Sequence, residues 1–194
     1  EATNVGSYAA AHLYTDEAIR RAVECGVHSL EHCNLITLET ARLAAKAGCI
    51  ACPTLITYDK LLSEGASLGL PPDSVAKVNN VRLRGLESLS IMAEAKLPMA
   101  YGSDLLGGMQ PHQSGEFELR AKVLSNQTVI AASTVIAATL LKMQGTIGTL
   151  APGAFADVIL VQANPLEDIS ILSGQGEGIS TIIKGGEIVK STVP

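Results

Sequence analysis

Two histidines and an aspartate are the side chains best suited to chemistry in this sequence. His12, His32 and Asp104 are separated by 20 and 72 residues, and each stands where a short apolar run ends. Imidazole nitrogen and carboxylate oxygen are the donors that zinc and similar borderline cations accept. Alone, each reads as a polar residue where a loop begins or as a turn cap. Together, at successive strand ends, they read as a metal set. Asp104 has a second use. A carboxylate beside a metal and its bound water can take the proton when that water attacks, then pass it to a leaving amine. Among their neighbours, Glu31 reads as a supporting partner or a structural residue, Cys33 as filler, and His28 as a structural residue in a strand. His112 falls in a glycine-rich run after Asp104 and reads equally as a substrate contact or as exposed loop.

The elements that must position these residues alternate strand and helix. Ser7 to Ala11 reads as a strand ending at His12, followed by a helix with Thr15 as N-cap, Asp16 and Glu17 in its first turn and Gly26 as its stop. Val27 to Glu31 is a second strand ending at His32, and Thr37 caps a helix that Gly48 ends. Ile50 to Thr54 is a third strand, broken by Pro53 at its exit. A loop over Ser63 to Pro72 has the length of a functional lid. Asp73 is then expected to cap a long helix with Val78, Val81, Leu89 and Met92 at helical spacing. Pro98 to Gly102 is a fourth strand ending at Asp104, followed by loop to Gly115 and helices over Glu116 to Leu124 and Thr128 to Gln144. After Gly145 the texture becomes all-β. Ala156 to Val161 is a strand, and Ile179 to Lys184 pairs with Glu187 to Lys190 across Gly185-Gly186.

Alternating β/α units imply a parallel sheet with helices outside it. Four such units are half of an eightfold barrel, which typically needs about 250 residues and carries its functional groups at the C-terminal strand ends. The expected fold is therefore α/β: the second half of a TIM-like (β/α)8 barrel, strands five to eight, over residues 1–144, with strands of a small β-sandwich over 145–194.

Composition excludes several other functions. A net charge of −5 without a basic cluster argues against a nucleic-acid partner. The longest apolar stretch, Val129 to Leu141, is interrupted by Ser133, Thr134 and Thr139 and falls short of the roughly 20 residues a membrane span needs. Aromatics are only 3% and Trp is absent, so the core must be built of aliphatic side chains. Cys25, Cys33, Cys49 and Cys52 do not make a disulfide scaffold. Cys49 and Cys52 lie in an apolar run and read as buried thiols, in keeping with a reducing, cytoplasmic setting. The chain opens Glu1-Ala2-Thr3-Asn4, with no leader pattern, and is expected to begin mid-protein.

Ala11-His12-Leu13-Tyr14, Ser29-Leu30-Glu31-His32, Pro53-Thr54-Leu55 and Gly102-Ser103-Asp104 together resemble the amidohydrolase superfamily. More narrowly they resemble its imidazolonepropionase-like branch, with metal-dependent Xaa-Pro dipeptidases (prolidases) and ochratoxin-hydrolysing enzymes. The tail strengthens the likeness through Pro152-Gly153-Ala154-Phe155-Ala156-Asp157, Asn164-Pro165-Leu166-Glu167-Asp168 and Lys184-Gly185-Gly186. The resemblance implies a C-terminal portion of a barrel enzyme with a binuclear divalent-metal centre, usually zinc. It matches His12 and His32 to the ligands of strands five and six, and Asp104 to the ligand and acid/base of strand eight. Tyr14 matches a position expected to hold a substrate carboxylate, or else is structural, and Tyr58 is a candidate for lining the pocket. Two family features are absent: no His-x-His occurs in these residues, and no bridging lysine of a fourth strand is recognisable. Ser103 stands where Thr is commoner.

The expected activity is hydrolysis of a C–N amide bond in a dipeptide or N-acyl amino acid, with these 194 residues alone inactive or weakly metal-binding. A cyclic amide or imidazolone ring is the alternative substrate. A non-catalytic β/α binding module is the alternative class. A small-molecule or dipeptide partner is expected, and a homo-oligomer is left open.

Overall fold

The computed structural model describes residues 1–67, 69 and 71–192, and for 72–77 the backbone alone. Three strands, β1 (Ala10–Thr15), β2 (Ser29–Leu35) and β3 (Ile50–Cys52), form a parallel sheet in the order β1-β2-β3. The helices α1 (Asp16–Glu24) and α2 (Leu38–Lys46) connect them. Both start as expected, with Thr15 Oγ1 accepting from the Ala18 amide and Thr37 Oγ1 from the Thr40 amide. Asp16 joins the two connections, its Oδ1 accepting from the Thr37 amide at 2.8 Å and the Thr37 hydroxyl at 2.9 Å.

The first two strands begin later than their sequence suggests. Residues Ala2–Val5 coil into a 3-10 turn, closed by the Ser7 amide donating to Ala2 O at 2.9 Å, so pairing starts only at Ala10. His12 lies opposite Glu31 and His32 opposite Leu13. The register then shifts between Leu13 and Thr15, so both histidines occupy the last regular rungs. His28 precedes β2 and packs edge-on against Tyr8. The fourth strand shrinks to one parallel bridge, Met99 beside Ala51, held by Ala51 N to Pro98 O and Ala100 N to Ala51 O. The next amide, Tyr101 N, turns away to Ala132 O, and this limits the strand's length.

Helix α3 (Leu55–Glu64) was not anticipated, and it fills most of the stretch between Pro53 and the expected loop. Within that loop, positions 68 and 70 lie outside the described residues. Helix α4 (Pro72–Glu94) starts at Pro72 with Pro71 as N-cap; the side chain of Asp73 lies outside the described residues. Its Leu89 and Met92 pack with Leu30, Ala51, Leu97 and Met99 in an aliphatic core. The expected loop after Asp104 contains a 3-10 turn, Gly107–His112, and leads into α5 (Gly115–Ala121). The long helix expected next is interrupted. It runs as α6 (Asn126–Ala131), a π-helical turn (Ala132–Ile136) and α7 (Ala137–Leu140). Among the described residues no helix is long and apolar enough to cross a membrane.

The tail forms an antiparallel sheet of β4 (Val158–Val161), β5 (Ile179–Lys184) and β6 (Glu187–Ser191). Gly185 and Gly186 take φ of 58° and 88° at the hairpin, the left-handed conformation that such a two-residue turn demands. Ile169 and Leu172, from the segment between β4 and β5, join the same core cluster as Leu30 and Leu89. The result is a mixed α/β fold with one parallel and one antiparallel sheet.

Candidate metal centre

His12 and His32 meet across adjacent strands. His12 Nδ1 and His32 Nε2 stand 2.9 Å apart, with ring centroids 4.5 Å apart. Two ligands on a tetrahedral zinc, each at about 2.0–2.1 Å, lie roughly 3.3 Å from one another. The facing nitrogens are therefore within a few tenths of an ångström of a ligand pair's spacing. Asp104 lies alongside, its Oδ2 4.0 Å from His32 Nε2 and its side chain open to solvent.

The second nitrogen of His32 is also engaged. His32 Nδ1 lies 2.8 Å from Thr54 Oγ1, a buried hydroxyl. With the proton on Nδ1 donated to Thr54, Nε2 turns its lone pair toward His12 Nδ1. Ligating histidines are held this way by a partner on the far nitrogen. His32 is buried, and this desolvation, reinforced by the neighbouring His12, holds its imidazole below the usual histidine range; Asp104 and Glu31 pull weakly the other way. A ring kept neutral is a ring ready to ligate.

The backbone here is strained. His32, Cys33 and Asp104 have φ of 68°, 58° and 49°. Non-glycine residues in this region cost about 1–3 kcal/mol each and cluster at functional sites.

Two tyrosines complete the cluster. Tyr14 stacks on His32 with centroids 5.2 Å apart and planes 10° from parallel, and meets His12 edge-on at 4.8 Å. Tyr58, buried on α3, donates its hydroxyl to the Tyr14 hydroxyl at 3.1 Å. Burial, then the bond to Tyr14, pushes the Tyr58 phenol far above its ordinary range, so it stays protonated. With Tyr58 donating, Tyr14 keeps its own proton for another acceptor. His112 is engaged elsewhere, its Nε2 3.0 Å from Glu64 Oε1.

Three contributors escaped sequence reading. Thr54 stood out only as a strand exit, yet it is the partner of His32. Glu116 and Arg120 are fully buried and paired, Arg120 Nε donating to Glu116 Oε1 at 2.8 Å. Arg120 also donates to Ala100 O at 2.9 Å and to Pro53 O, joining the exits of β3 and the Met99 segment. Their spacing of four residues is a helix ion pair, usually a solvent-exposed one.

Among the described residues, no group of three or more His, Cys, Asp or Glu side chains is placed to hold a metal ion. The donor types of His12, His32 and Asp104 are those a borderline cation accepts.

The cluster is thus two imidazoles and a carboxylate at the exits of a parallel sheet in an α/β fold. The chain belongs to the amidohydrolase family, whose model matches residues 1–188. It is similar to a solved amidohydrolase (48% identity, TM-score 0.98, covering 100% of this chain and 47% of that one). A prolidase solved with N-methylphosphonate-L-proline is similar as well (45% identity, TM-score 0.96, covering 99% and 47%). Ochratoxinase of Aspergillus niger is 26% identical over 191 residues, 98% of this chain and 39% of that protein. The chain thus spans well under half the length of this curated relative.

Proposed function

We propose that the whole protein is a metal-dependent hydrolase of C–N amide bonds in dipeptides or N-acyl amino acids. His12, His32 and Asp104 are the ligands supplied by this chain, and zinc is the expected ion. Residues 1–144 are assigned to half of a (β/α)8 barrel and 145–194 to strands of a small β-sandwich. The remaining donors of a binuclear set come from outside these residues. The single observation that carries the reading is the approach of His12 Nδ1 and His32 Nε2 to 2.9 Å, beside Asp104. Similarity to a prolidase supports the substrate class.

A bound cation supplies a lowered pKa for water and a polarised substrate carbonyl. The chain's own residues do the rest. The Asp104 carboxylate, open to solvent, accepts a proton from the attacking water and returns it to the amide nitrogen as the C–N bond breaks. Tyr14, its oxygen already accepting from Tyr58, donates to the substrate's free carboxylate. Thr54 holds the His32 ring in place. His112, tied to Glu64, contributes to the pocket wall rather than to proton transfer.

The test is metal analysis of the full-length protein, with turnover of Xaa-Pro dipeptides and N-acyl amino acids measured against cyclic amides and imidazolone rings. Zinc-dependent turnover of the linear amides is expected. A metal-free protein inactive on the whole panel would favour a non-catalytic module, and turnover of rings alone would move the substrate assignment.

A further inference from the structure

Helix α3 has a threonine at its N-cap that does not cap it. Thr54 makes no side-chain hydrogen bond to the first amides of α3, although threonine is a preferred residue there. Its hydroxyl oxygen pairs with His32 Nδ1 instead, at 2.8 Å. One of the amides left over is met from α5, far along the chain. Glu116 Oε2 accepts from Ile56 N at 2.7 Å. A carboxylate is well placed at a helix N-terminus, where unpaired N–H groups and the helix dipole favour negative charge.

We infer that Glu116 caps α3 in place of Thr54, which frees the Thr54 hydroxyl to orient His32. Glu116 is then a positioning residue for the metal centre, acting through Thr54. Arg120 fixes the carboxylate in this role by holding Glu116 Oε1 while anchoring both strand exits through Pro53 O and Ala100 O. The consequence for the metal rests on the hydrolase reading of His32. The exchange of caps does not.

The experiment compares Thr54→Val, Glu116→Gln and the double variant in the full-length protein. Zinc affinity is read by chelator competition, and the His32 tautomer of the zinc-free protein by imidazole 15N shifts. Thr54→Val is expected to weaken zinc about tenfold or more, the usual consequence of losing a ligand's outer partner. In Glu116→Gln one acceptor oxygen faces two donors. The charged guanidinium claims it, and the Ile56 amide turns to the Thr54 hydroxyl. His32 Nδ1 then shares that oxygen with the Ile56 amide, and both readouts shift in the direction seen for Thr54→Val, by less. The double variant should be no worse than Thr54→Val, because Glu116 works through the hydroxyl already removed. Multiplied losses in the double variant, or an unmoved His32 in Glu116→Gln, would overturn the inference. Amide exchange decides the matter without any Glu116 variant. Protection at Ile56 should survive Thr54→Val, and its loss would show that Thr54 is the cap after all. A protein that binds no zinc defeats the hydrolase reading, yet leaves the 15N and exchange tests intact.

Discussion

A histidine that commits one ring nitrogen to a protein partner offers the other as a directed lone pair, and His32 does so in a dry, strained setting. In the proposed mechanism, proton transfer then falls to Asp104, the exposed carboxylate. Asp104→Asn in the full-length protein should lower kcat by about 10²–10⁴, the ordinary contribution of a general acid/base. Tyr14→Phe should raise KM for substrates with a free carboxylate, by about tenfold or more for one lost charge-assisted bond. Carboxamide-capped analogues should hardly respond, and equal losses on both would refute the assignment. At this scale the sequence was informative where a residue type is rare and has a narrow chemistry. His12, His32 and Asp104 were singled out by type and position, Tyr14 and Tyr58 by the family resemblance, and the fold gathers them. Thr54 escaped because it read only as the end of a strand, with no helix expected after it.

At the scale of elements, what holds the site is a buried ion pair. Glu116 and Arg120 are both 0% exposed, so removing one partner leaves an uncompensated charge in the interior. Arg120→Met should cost about 3–5 kcal/mol in chemical denaturation, far beyond a surface pair. Burial pushes the Glu116 carboxyl up, with Arg120 opposing it. The tail hairpin offers an independent check. Gly186 has φ of 88°, so Gly186→Ala should cost on the order of 1–2 kcal/mol. Apart from α3, strand and helix order was legible from periodicity and caps, with Thr15 and Thr37 doing what their positions suggest. Boundaries were not. β1 and β2 run past their histidines, the fourth strand is a single bridge at Met99, and a π-turn divides the helix after Asn126, because pairing partners decide where a ladder stops.

For the molecule as a whole, one core cluster runs from β2 and α4 to Ile169 and Leu172 of the tail segment. Its burial also silences thiols. The Cys52 thiol is pushed up to about 12, and burial raises Cys33 and Cys49 as well, while Cys25 is exposed. Alkylation of the native protein at pH 8 should therefore mark Cys25 and spare the other three, as peptide mapping would show. The family membership rests on nearly the full chain, whereas the proposed metal centre rests on two imidazoles and a carboxylate. The most direct measurement is an anomalous difference map at the zinc edge from crystals of the full-length protein grown with zinc. A peak about 2.1 Å from both His12 Nδ1 and His32 Nε2 is the expected result. A direct hydrogen bond surviving between those two nitrogens, with no peak between them, would contradict it.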